Sequence, residues 1–122
     1  MVLEDLPNYI DINIAKGLEE RFMGSEALYV RFLYKLADFQ EFAQLQAAVD
    51  TADWQEALRL AHNLKGVCAT LELGTLSANF AAIVTLLRRD SFAAQDVQQS
   101  LQCVQDEWDK TLACIKRLQE SA

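Results

Sequence analysis

His62 is the only histidine in the chain, and its neighbours are the residue types that chemistry at an imidazole would use. Neutral imidazole is a good nucleophile near physiological pH, because its ordinary pKa is about 6.5. Lys65 lies three residues on, close enough on a helix surface to support an anion held by the ring. Gly66 follows four residues after the histidine, where a glycine inside a helix costs about 1 kcal/mol relative to alanine. That cost is repaid if a partner's backbone or a bulky ligand must come close beside the ring. Plainer readings stand beside these: a solvated lysine and a tolerated glycine.

Helical periodicity places this group. Asp53 and Glu56 resemble a capping box, and the helix they open runs to about Glu72. Trp54, Leu58, Ala61, Leu64, Cys68 and Leu71 share its buried side. His62 falls outside that side, on a stripe with Gln55, Arg59, Gly66 and Ala69, and Lys65 borders both faces. The only histidine therefore looks outward. Gly74 marks the helix end and Thr75 a cap for the next helix, whose stripe is Leu76, Phe80, Ile83, Val84 and Leu87. Arg88 follows Gly74 by about as many residues as His62 precedes it, so in an antiparallel pair Arg88 or Arg89 could bring a second cation. Ending that helix and favouring its dipole would equally account for both arginines.

The remaining chain reads the same way. A short first helix spans roughly Asp11 to Phe22, with Ile12, Ile14, Leu18 and Phe22 apolar. After Gly24, Ser25 caps one long helix from Glu26 to about Val49, its face formed by Leu28, Phe32, Leu36, Phe39, Ala43 and Leu45. The last helix runs from about Phe92 to Leu118 through Val97, Leu101, Val104, Trp108, Leu112 and Ile115. No segment reads as a strand, and one proline and four glycines leave few breaks. The expected fold is all-α: an antiparallel up-down four-helix bundle with an additional short N-terminal helix, in a single domain over residues 1–122.

Bulk properties narrow the function. A net charge of -7 repels nucleic acid and anionic membranes. No apolar stretch approaches the roughly 20 residues needed to span a bilayer, and Met1–Asp11 carries acids where a signal peptide carries bases, so a cytoplasmic protein is expected. Cys68, Cys103 and Cys114 read as small core residues; with one histidine they form no metal site.

Ala61-His62-Asn63-Leu64-Lys65-Gly66 resembles the A-H-x-L-K-G signature of histidine-containing phosphotransfer (HPt) domains, the carriers of multistep two-component phosphorelays. The likeness extends over nearly the whole chain, including Ile12–Phe22, Gly24-Ser25-Glu26, Tyr29–Leu33 and Ala52-Asp53-Trp54. One position departs from it. Many members carry a glycine ten residues after the histidine, where this chain has Glu72, with Gly74 two later; the helix hairpin is thus expected to be longer or differently capped.

The resemblance implies that His62 accepts a phosphoryl group at Nε2 from a receiver-domain aspartate and passes it to another receiver. It implies that Lys65 offsets charge and that Gly66 leaves room for the partner. Arg59, Ala69 and Arg88 are further candidates for receiver docking or phosphate support. No cofactor is expected on this chain; the magnesium ion comes with the receiver. The partners implied are response-regulator receiver domains and a hybrid sensor histidine kinase, with no nucleic acid and no membrane insertion. The outward histidine and acidic surface suit a monomer without kinase or hydrolase activity of its own. Three rivals remain: a bundle that only binds, an enzyme using His62 as general base, and the phosphoacceptor domain of a chemotaxis-type kinase.

Overall fold

The computed structural model describes residues 1–121 and is all-helical among them. A short 3-10 helix, Leu3–Asn8, precedes α1 (Ile14–Glu20), α2 (Glu26–Leu36), α3 (Glu41–Asp50), α4 (Trp54–Thr70), α5 (Gly74–Leu87) and α6 (Ala94–Glu120). α3 packs on α4, α4 on α5 and α5 on α6, and α6 returns to both α2 and α3. This is an antiparallel up-down bundle whose first rod is made of two pieces, with the 3-10 helix and α1 as its N-terminal lead-in. No described helix is long and apolar enough to cross a membrane.

The single helix expected over Glu26–Val49 is broken. The N–H groups of Ala37, Asp38 and Phe39 reach back only three residues, to Tyr34, Lys35 and Leu36, and the chain restarts at Glu41. Geometry explains the break. The residues that are buried are Tyr29, Leu33 and Leu36 in α2, then Phe42, Leu45, Ala48 and Val49 in α3. At about 100 degrees per residue the two sets would point to nearly opposite sides of one straight helix. Interrupting the helix turns both toward the core. Phe32 and Ala43, expected inside, are exposed instead.

Ser25 caps α2 and Asp53 caps α4, each accepting the N–H of the third residue on, at 3.2 and 3.3 Å. The Glu56 side chain does not return to Asp53, because it pairs with Arg59. At the far end, α4 stops at Thr70 and Glu72 itself takes the left-handed conformation, φ 58°. Leu73 N–H bonds Cys68 O and Glu72 N–H bonds Ala69 O, the paired bonds of a Schellman turn. Glu72 thus itself takes the left-handed position of a regular Schellman turn, so the helix closes there without a glycine and the hairpin is not lengthened to Gly74. Gly74 is not the turn residue but the first of α5, and Thr75 donates to Asp11 Oδ2 at 3.0 Å rather than capping. Among the cysteines, Cys68 and Cys114 are buried as expected, but Cys103 is exposed. The N-terminal segment packs against the C-terminal half of α6, with Arg117 over Tyr9, and that is the half that holds Cys114.

Two backbone positions make opposite demands. Gly17 is buried, and a Cβ there would come within 2.5 Å of the Tyr29 ring. Ala52 ends α3 in a second Schellman turn at φ 56°, a conformation glycine adopts without penalty. Gly17→Ala should therefore destabilise the protein by about 1–3 kcal/mol through overpacking, whereas Ala52→Gly should stabilise it by about 0.5–1 kcal/mol. Urea unfolding of the two variants beside the parent checks both signs.

Candidate functional site

α4 buries Ala57, Leu60, Ala61, Leu64 and Cys68 and leaves His62 and Gly66 exposed. The outward histidine expected from periodicity is in place. Nothing in the folded chain lies within 4 Å of where a Gly66 Cβ would be. Internal packing therefore does not demand this glycine. Its carbonyl accepts from Thr70 Oγ1 at 3.0 Å, a bond any residue at 66 would permit.

His62 and Gly66 form one wall of a groove of about 700 Å³ between α4 and the broken first rod. Phe32 and Lys35 of α2, Phe39 of the connection and Glu41 of α3 form the other wall. The groove is mainly apolar. Phe32 is 41% exposed yet held in place: Phe22 lies against it at 5.6 Å between ring centroids, and Lys35 Nζ sits 5.0 Å above its ring. A large aromatic fixed at a rim before any partner arrives can bind with little loss of side-chain entropy.

The other expected residues are spread around this groove. Lys65 is half-buried; Ser77 Oγ donates to its backbone carbonyl at 3.4 Å, and its ammonium joins no ion pair among the described residues. Arg59 is already engaged, donating from Nε to Glu56 Oε2 at 3.0 Å and from a second nitrogen to Oε1. That pairing holds the Glu56 carboxyl below its usual range and the Arg59 guanidinium above. Ala69 lies two turns beyond His62 but lines a separate hollow with Lys16, Arg21, Ser77 and Ala81. Arg88 caps the exposed end of α5 and lines neither hollow. The structure thus brings His62, Gly66, Phe32, Lys35, Phe39 and Glu41 together, and sets Ala69 and Arg88 apart from them. The second wall escaped the sequence reading because Phe32 was counted into the core; the competing stripe Tyr29, Leu33 and Leu36 was the signal that it lay outside.

The cysteine beneath the site has no part in its chemistry. Cys68 is fully buried, and burial pushes its thiol up to about 12, far from a reactive thiolate at neutral pH. What remains is an exposed imidazole on a rigid helix, an open space beside it and a preformed apolar wall. Such an arrangement can offer a nucleophilic nitrogen to a reacting group brought by another macromolecule.

Because a Gly66 Cβ meets nothing, Gly66→Ala should stabilise the isolated protein by about 0.5–1 kcal/mol. Thermal and urea unfolding check this; a loss of stability would mean the glycine serves the fold. A model of the Hpt domain family matches residues 37–121. Comparison with curated proteins and with solved structures gives no significant match.

Proposed function

The chain belongs to the Hpt domain family, and on that premise we propose that it is a phosphorelay intermediate: His62 accepts a phosphoryl group from a receiver-domain aspartate and passes it to a second receiver domain. Hpt domains are phosphocarrier modules of two-component signalling, working with receiver domains and kinases. One observation carries the finer reading: beside the exposed His62 stands a helical glycine that the fold itself does not need.

In the proposed step the Nε2 lone pair forms the N–P bond while the P–O bond to the partner's aspartate breaks, its electron pair leaving with the carboxylate. The return step reverses these events on another aspartate. Such transfers depend on in-line positioning and charge stabilisation. The exposed face lets the phosphorus approach along the ring plane, and the missing Gly66 side chain lets the partner's active site close over His62. Lys65, one turn away and free of ion pairs among the described residues, offsets the charge of the transferred group. Magnesium is supplied by the receiver.

Docking falls to the apolar groove, with Phe32 as anchor and Phe39 and Val67 around it. Arg59 keeps a supporting part if the partner draws it from Glu56, and Ala69 and Arg88 extend the contact. Residues 1–122 are read as one domain, because Tyr29, Leu33 and Leu36, which precede the matched segment, share its core; a monomer is the state that the outward histidine and acidic surface suit. A cytoplasmic setting goes with this role, as does the lack of kinase or hydrolase activity of its own.

Incubation with magnesium and a phosphorylated receiver, followed by intact-mass measurement, should show a gain of one acid-labile phosphoryl group that is absent in His62→Gln. Binding to receivers without any gain would favour a module that only docks. Phe32→Ala should weaken receiver binding about 10-fold, a loss of 1–2 kcal/mol typical of an aromatic anchor, with the fold intact by circular dichroism. Gly66→Leu should slow transfer far more than Gly66→Ala in single-turnover kinetics; equal rates for both would remove the proposed reason for the glycine.

A further inference from the structure

Apart from His62, the charged residues that line the apolar groove are Lys35 and Glu41, and their situations differ. Lys35 is exposed and holds its ammonium 5.0 Å above the Phe32 ring. Glu41 is half-buried, and its Oε2 is shut off from water without a hydrogen-bond partner. No cation lies within 4 Å of its carboxylate among the described residues. The fold has thus desolvated a charge without pairing it, a cost that an arriving cation offsets. Groups of the chain near Glu41 do not serve. Arg59 feels its charge, but two guanidinium nitrogens are taken by Glu56. The first turn of α3, which holds Glu41, favours a negative charge through the helix dipole only in part. Asn63 also lines the groove, and its amide can donate a hydrogen bond but brings no charge.

We propose that Glu41 is a specificity-determining contact for the partner: it receives the cation of a lysine or arginine that the docking receiver domain lays into the groove. The inference rests on the phosphotransfer reading, which brings a receiver to this face. Long basic side chains match both features of the groove. Their stems are apolar and can lie along Phe32 and Phe39, while the charged head reaches the carboxylate. The net charge of -7 attracts a basic contact surface from a distance, and Glu41 gives one such charge a fixed place. A receiver with an apolar or acidic residue at that place leaves the carboxylate desolvated and unpaired. Binding of the wrong receiver is penalised in this way, so Glu41 discriminates between partners that all present the same aspartate.

Calorimetric titration with receiver domains measures docking apart from phosphoryl transfer. Glu41→Gln, which keeps the shape and removes the charge, should weaken binding about 10-fold, within the range for close charge pairs across an interface. Its affinity should also fall less steeply with salt than that of the parent. Each lysine and arginine on the receiver's contact face is then changed to glutamine in turn. One of these changes should weaken binding to the parent about 10-fold and leave binding to Glu41→Gln almost unaltered. That receiver-side arm is read on the parent even if Glu41→Gln does not fold. Unchanged affinity and salt dependence in Glu41→Gln overturn the proposal, as does a receiver scan in which no basic residue matters to the parent. A parent that binds receivers but takes no phosphoryl group overturns the phosphotransfer reading alone, because the affinities still decide the role of Glu41. A parent that binds no receiver overturns both.

Discussion

The helix that carries His62, α4, is gripped from outside at its C-terminal end. The turn Leu71–Glu72–Leu73 has three attachments to the N-terminal segment. Tyr29 Oη donates to the buried Leu71 carbonyl at 2.6 Å, Asn13 N–H bonds Glu72 O at 3.0 Å, and the Glu72 carboxylate faces Lys16 and Arg21 at 3.9 and 3.6 Å. Burial and the nearby Glu72 charge raise the Tyr29 phenol above its usual range, so it stays a protonated donor across physiological pH. A glutamate at positive φ is strained. Here its backbone and its side chain are both bonded into the lead-in, which offsets the strain and gives glutamate a use that glycine would lack. The ion pairs are long and join half-exposed cations to a largely buried Glu72 carboxylate, so each contributes modestly. The buried tyrosine bond contributes more, because removing the phenol would strand a desolvated carbonyl.

From that fixed end the rest of the site follows. Tyr29 needs Gly17 to admit its ring, so α1 is drawn against α2. Tyr29 and Phe22 stack with centroids 4.7 Å apart, and Phe22 in turn backs Phe32. One chain of contacts therefore leads from the turn after α4 to the aromatic rim of the groove that flanks His62. The family match begins at residue 37, yet Phe32 and Lys35 lie before it. Residues that precede the matched segment therefore form part of the wall that faces His62 across the groove.

The helices of the sequence reading were largely legible because their signals are local. Ser25 and Asp53 sit at real caps, and the stripes of α5 and α6 are buried almost as read. The break near Phe39 was not legible in the same way. It contains neither glycine nor proline, and two overlapping apolar stripes could be read as one by putting Phe32 inside. Only the requirement that α3 face α4 and α6 at once decides between them.

The outward sides of His62 and Gly66 were determined by the sequence alone, because the side of a helix a residue occupies follows from the 3.6-residue period and the apolar positions around it; that the fold has no use for the glycine was decided by the open space at its Cβ. What surrounds His62 was decided by tertiary structure. Phe32, Lys35 and Glu41 come from two other helices, more than twenty residues away in the chain for each of them. No local pattern relates those positions to residue 62. Their meeting depends on where the first rod breaks and how far the α3–α4 turn lets the helices run level, quantities that exist only once the core has closed.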